Sequence, residues 1–233
     1  MIDLSVYIIT IVVLIVFSFG VFLYGKKKGK DDFLKLLLMA GFVNKIEAFE
    51  CFNKYSNAEG IVFIGDSITQ DFNVYEYFKG FNVYNRGIGG DTSKGVLERL
   101  SNSVFDLRPK KVFLQIGTND FELFKSNPEE IFKNIKSIVK AFKEYDSKLQ
   151  VYIISVYPVN QNMHKDTVGR RNNQDIKKLN TLLKEIKSVQ FIDLYAKLLD
   201  GEDLNPEYSI EGLHLNQKGY ELIRENLLPY LEQ

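Results

Sequence analysis

Four short segments of this chain carry the residue types that acyl transfer through a covalent intermediate needs. In Gly65-Asp66-Ser67-Ile68-Thr69, Ser67 offers a hydroxyl nucleophile, with the carboxyl of Asp66 supporting the turn. A serine in a strand-to-helix turn projects its hydroxyl from the sheet edge. It also presents a backbone N–H at a helix start, where negative charge is stabilised. In Asn85-Arg86-Gly87-Ile88-Gly89-Gly90-Asp91-Thr92, the glycines permit positive φ and close backbone approach, so that an N–H can point at a developing oxyanion. In Gly117-Thr118-Asn119-Asp120, the Asn119 amide can donate into the same site. In Glu211-Gly212-Leu213-His214-Leu215-Asn216, a carboxylate three residues before a histidine can orient its ring as general base. Each segment also has a plain structural use: helix N-cap, capped tight turn, Asx turn and surface-loop histidine, respectively. Together they supply nucleophile, base, orienter and oxyanion donors.

The surrounding pattern places these segments at one edge of one sheet. Ile61–Ile64, Asn82–Tyr84, Lys111–Gln115, Gln150–Ser155 and Gln190–Asp193 read as short strands. Between them Ser93–Leu100, Glu129–Tyr145 and Arg171–Lys187 read as helices, and a last helix runs from Gln217 to Leu231. In Glu129–Tyr145 the residues Ile131, Ile135, Ile138, Val139 and Phe142 form one apolar stripe, opposite lysines. Alternating strands and helices predict an α/β domain with a doubly wound five-stranded parallel sheet. The active site of such a sheet lies at the carboxyl ends of the strands, where all four segments fall.

Residues 4–24 contain no charge and, as a helix, would span roughly 30 Å, enough for a bilayer core. The start Met1-Ile2-Asp3 lacks a basic residue and the exit lacks a small-residue cleavage pattern, so a retained transmembrane helix is expected rather than a signal peptide. Lys26, Lys27, Lys28, Lys30 and Lys35 follow the span, which places the C-terminal domain on the cytoplasmic side, with the extracellular face as the alternative. A juxtamembrane linker with a helix over Phe33–Lys54 is expected at residues 25–58, and the catalytic domain at residues 59–233.

Of 233 residues, 45% are hydrophobic and 26% charged, a balance that excludes a disordered chain. Thirty basic residues balance thirty acidic ones, so no global field draws nucleic acid. One cysteine, Cys51, excludes an internal disulfide framework, and two histidines, His164 and His214, argue against a His-rich metal site. The segment from Tyr157 to Thr167, with Met163 and His164, can form a rim loop; His164 itself reads as a plain loop residue. Asp200 and Asp203 are off-register for orienting His214.

With these segments in this order, the chain resembles the SGNH, or GDSL-type, hydrolases from about Ile61 to Leu228. The resemblance implies Ser67 as nucleophile, His214 as base, and Ser67 N–H, Gly90 N–H and the Asn119 amide as oxyanion hole. It implies a three-layer α/β/α, flavodoxin-like fold without metal or organic cofactor. Asn85–Thr92, Arg170-Arg171-Asn172-Asn173 and Asn180 look like the subgroup of platelet-activating-factor acetylhydrolases and bacterial acetyl esterases. The family usually has aspartate where this chain has Glu211; a glutamate still supplies the anionic acceptor that the histidine N–H requires. The expected activity is hydrolysis of short-chain acyl esters of a carbohydrate or lipid, with a small-molecule ester as the partner. Lysophospholipase or thioesterase activity, acyl transfer to another alcohol, and a catalytically silent glycan- or acyl-binding domain are the alternatives.

Overall fold

The computed structural model describes the backbone of residues 4–233; the side chains of residues 4–11 and of residue 31 lie outside the description. The chain divides into two compact units, Met1–Val43 and Asn44–Gln233.

Residues 4–43 of the first unit belong to one helix, α1 (Leu4–Asn53), whose last ten residues count with the second unit. The sequence predicts a span and a separate helix, whereas the structure has one continuous helix. Between them lie lysines, which are good helix formers, and isolated glycines, each costing only about 1 kcal/mol. No proline interrupts residues 4–53. The expected transmembrane span begins in residues 4–11, whose side chains are outside the described residues. Among the described residues no helix is long and apolar enough to cross a membrane, so the span has no support from the structure.

The second unit is built on a sheet of five strands: β1 (Ile61–Gly65), β2 (Val83–Gly87), β3 (Lys111–Gln115), β4 (Gln150–Ile154) and β5 (Gln190–Ile192). Every pairing is parallel and the order is β2-β1-β3-β4-β5. The helices are α2 (Ser67–Asp71), α3 (Val74–Tyr77), α4 (Ser93–Glu98), α5 (Leu100–Ser103), α6 (Pro128–Tyr145), α7 (Lys165–Val168), α8 (Asn173–Lys184) and α9 (Gln217–Glu232). A two-stranded antiparallel pair, β6 (Leu199–Asp200) and β7 (Asp203–Leu204), completes the described strands.

The strands read as continuous apolar runs because both faces of the sheet are covered. Side chains alternate between the faces. Val62, Ile64, Val112, Leu114, Val151 and Ile153 pack with Ile131, Ile135 and Ile138 of α6 and Ile176 and Leu179 of α8. Ile61, Phe63, Phe113, Tyr152 and Ile154 pack on the other face with Ile68 and with Tyr220, Ile223 and Leu227 of α9. The predicted stripe on α6 is wholly buried. An Asn127–Glu130 capping box fixes the start of that helix. Lys111, buried at the start of β3, donates from Nζ to the carbonyls of Tyr230 (2.9 Å) and Leu231 (3.0 Å). A cation at those carbonyls satisfies acceptors that the last turn of α9 cannot pair internally.

Register decides where the loops begin. Gly65 pairs with Gly87 on one side and with Gln115 on the other, so β1, β2 and β3 end level. Asp66, Ile88 and Ile116 therefore leave the sheet at the same height. This is why three sequence-distant segments open at one rim.

Candidate active site

Ser67 is the first residue of α2, directly after Asp66 at the end of β1. Asp66 caps the helix: its Oδ1 accepts from Ile68 N–H at 2.9 Å. Ser67 Oγ lies 3.0 Å from His214 Nε2, across 147 positions of chain. The other ring nitrogen, Nδ1, lies 2.7 Å from Glu211 Oε1, and the same oxygen accepts from His214 N–H at 2.9 Å. Glu211 thus reaches the imidazole despite its extra methylene. With Nδ1–H donating to the carboxylate, Nε2 is left as the acceptor facing the serine hydroxyl.

The histidine loop is held by its own backbone. Ile210 N–H donates to His214 C=O (3.0 Å), and Ser209 Oγ both donates to that carbonyl (3.0 Å) and accepts from Gly212 N–H (2.8 Å). Gly212 has φ +92°, and a Cβ there would stand 2.1 Å from Asn160 C=O. Only glycine fits this position. The predicted rim segment lies against it, since Asn160 N–H donates to Gly212 C=O at 2.8 Å. His164 is exposed and accepts from Thr167 N–H at 3.2 Å as the N-cap of α7, a short helix where the sequence reads a loop.

The groups expected as oxyanion donors are positioned by residues of other loops. Residues Ile88–Asp91 form a turn closed by Asp91 N–H to Ile88 C=O (3.1 Å), with Gly90 at φ +76°. Positive φ at the third turn position calls for glycine. Gln70 Oε1 accepts from Gly89 N–H at 3.1 Å. Among the described residues Gly90 N–H and Ser67 N–H have no acceptor, so both remain available. For Asn119 the direction of the amide is fixed by chemistry. Arg171 Nη2 donates to Asn119 Oδ1 at 2.7 Å, and Asn119 Nδ2 donates to Asp91 C=O at 2.9 Å. An arginine only donates and a carbonyl only accepts, so the amide cannot be flipped. One hydrogen of Nδ2 is occupied and the other is left for a ligand.

Beneath these donors lies a buried ionic network. Asp91 Oδ2 pairs with Arg99 Nε at 2.7 Å, with both side chains buried. Arg99 also donates to Arg86 C=O (2.8 Å), Gly65 C=O (3.0 Å) and Ser103 Oγ (2.9 Å), tying together the ends of β1 and β2. Asp120 accepts from Ser93 N–H (3.0 Å) and from the Ser93 hydroxyl; burial pushes its pKa up to about 6. Sequence reasoning missed the roles of Gln70, Arg99, Asp120 and Arg171. Asp120 and Arg171 lie inside segments that it singled out; Gln70 and Arg99 carried no signal.

Asp66 is fully buried, and its Oδ2 has no partner among the described residues. Burial is the largest influence on it, and raises its pKa from 3.8 to about 7 against the opposing bond from Ile68 N–H. Between those values the folded protein holds a proton that the unfolded chain has released. The contribution of Asp66 to stability therefore falls as pH rises from 3.8 to about 7. Asp66→Asn, which keeps the acceptor for Ile68, is expected to flatten that decline in urea unfolding, with the slope from Asp120 retained. Parallel stability profiles for the two proteins would show that Asp66 holds no more proton in the folded state than in the unfolded one.

The GDSL-like lipase/acylhydrolase family model matches residues 63–222. The alpha2 subunit of platelet-activating factor acetylhydrolase IB from Rattus norvegicus is 28% identical over 170 residues, covering 69% of this chain and 70% of the relative. A solved structure from Streptococcus pneumonia is 28% identical with a TM-score of 0.80, covering 86% of this chain and 97% of that one. A GDSL-like lipase structure from Bacteroides thetaiotaomicron is 26% identical with a TM-score of 0.72, covering 82% and 98%. A match over most of the α/β domain, together with a serine, an imidazole and a carboxylate in line at one sheet edge, places this chain in the GDSL-like lipase/acylhydrolase family, as a carboxylic ester hydrolase.

Proposed function

We propose that Ser67, His214 and Glu211 hydrolyse short acyl esters through an acyl-enzyme, with the Ser67 N–H, Gly90 N–H and Asn119 amide as the oxyanion hole. The observation that carries this reading is the line of contacts Ser67 Oγ–His214 Nε2 (3.0 Å) and His214 Nδ1–Glu211 Oε1 (2.7 Å). His214 takes the proton of Ser67 as Oγ attacks the ester carbonyl. The three donors stabilise the tetrahedral oxyanion, and His214 returns the proton to the departing alcohol. Water then enters, gives its proton to His214 and releases the acid and the free serine. The Glu211 carboxylate stabilises the imidazolium formed in each half-reaction.

Acetyl esters of a carbohydrate or lipid are the substrate class we assign. The rat relative, named for acetylhydrolase activity, supports the acetyl preference. The domain works tethered to a membrane by residues 4–24 and faces the cytoplasm; the uncharged run and the lysines that follow it support this placement. Carbonate extraction of cell membranes tests the tether, and release of the chain into the supernatant would remove it.

A fluorophosphonate probe, followed by peptide mass spectrometry, is expected to label Ser67; an unlabelled Ser67 in folded protein would mean a silent binding domain. An acyl-length series is expected to peak at acetyl, and a maximum at long chains would move the assignment to a lipase. Glu211→Gln is expected to lower kcat by about a hundredfold, less than the loss for a fully buried aspartate because Glu211 is partly exposed. An unchanged kcat would mean that another group orients His214.

A further inference from the structure

One strand over from Ser67, the last turns of α1 lie along β2 and leave a cleft of about 280 Å3. Arg86 lies at its base, 2% exposed. Its guanidinium lies 4.7 Å from the ring centroid of Phe49 and 5.4 Å from that of Tyr84. Nη1 donates to Asn85 C=O (3.0 Å) and Nη2 to Asn53 Oδ1 (3.0 Å), while Nε has no partner among the described residues. No carboxylate among the described residues pairs with it. A buried cation with only ring faces and neutral oxygens around it is costly; the contrast is Arg99, which has Asp91.

The rest of the lining bears on what restores the balance. Lys45 brings a second positive charge and Asp71 a single negative one. Phe52 and Tyr75 are 58% and 54% exposed, offering apolar rings beside the charges. Two cations, one carboxylate and exposed aromatic walls describe a site for an oxyanion attached to an apolar portion.

We propose that this cleft is a second ligand site, binding a phosphate group carried by a small organic molecule or a lipid headgroup. The phosphate supplies the countercharge that Arg86 lacks, with Lys45 at its other side, and the attached carbon chain packs on Phe52 and Tyr75. Burial is the largest influence on Arg86 and lowers its pKa, opposed only by the hydroxyls of Tyr75 and Tyr84. The inference is independent of the hydrolytic assignment, because none of these side chains is placed in the reaction.

Calorimetric titration of the full-length S67A chain in neutral detergent tests it, with glycerol 3-phosphate, a short-chain phosphatidylglycerol, and glycerol as uncharged control. Both phosphate ligands are expected to bind and glycerol not. Tighter binding of the lipid identifies a headgroup site, and equal binding identifies a soluble phosphate ester. Lys45→Glu is expected to weaken binding about tenfold, and Asp71→Asn to tighten it about threefold, by removing the competing carboxylate. Circular dichroism confirms that both variants fold, which is expected because neither side chain is buried. Binding no stronger than that of glycerol, or binding indifferent to both substitutions, overturns the proposal.

Discussion

Ser67→Ala is expected to lower kcat on p-nitrophenyl acetate by about 10⁴-fold or more while leaving the unfolding midpoint unchanged. The substitution removes the attacking atom and one hydrogen bond, that to His214. It leaves the Asp66 cap of α2 intact. His214→Ala is expected to lose a comparable factor, since without a base the hydroxyl is a poor nucleophile at neutral pH. Combining the two is expected to add little, because groups that act in one step fail together. A residual rate is the share expected of the proposed oxyanion donors. Substantial hydrolysis by either variant, in protein free of contaminating esterase, would take that residue out of the mechanism.

The second large effect is on stability. Arg99→Met is expected to destabilise the fold by about 3–5 kcal/mol, the usual result of removing one member of a buried pair. Asp91 is left as an unpaired buried carboxylate, and burial already drives its pKa upward against the pull of Arg99. Three acceptors, on Arg86, Gly65 and Ser103, lose their donor as well. The double substitution Asp91→Asn with Arg99→Met is expected to recover part of the loss, since the charge is gone but the carbonyls stay unpaired. Urea unfolding measures both. A cost for Arg99→Met below roughly 1 kcal/mol would mean that the pair behaves like a solvated surface bridge.

Glu211 and the proposed oxyanion donors illustrate what is distinctive about the site. The carboxylate bonds to both the ring and the backbone N–H of His214, so the extra methylene is taken up within a tight loop. That loop is possible because Gly212 can pass close to Asn160. On the opposite side, Gln70 occupies Gly89 N–H, while Gly90 N–H has no acceptor among the described residues. A proton donor aimed into a site is as much a matter of which neighbouring donors are already used as of the turn that presents it.

The amino-acid sequence by itself determined the five strands of the main sheet and their alternation with the longer helices, but it ended the second strand at Tyr84, where β2 runs on to Gly87, and left the β6–β7 pair unmarked. Continuous apolar runs such as Ile61–Ile64 have one physical cause here, a sheet covered on both faces, and the stripe on α6 has one partner, that sheet. It also determined the chemistry of Ser67 and His214, since hydroxyl and imidazole are residue types and need no geometry to be named. Only the tertiary structure decided what joins them. The direction of the Asn119 amide depends on Arg171, 52 positions away, and Gly89 N–H finds its acceptor in Gln70, 19 positions before it. Such contacts have no period and no fixed spacing, so no local pattern announces them. The continuity of α1 was missed for a related reason: a change from apolar to lysine-rich composition marks a change of surroundings, and a helix backbone, whose hydrogen bonds are all internal, runs through it unbroken.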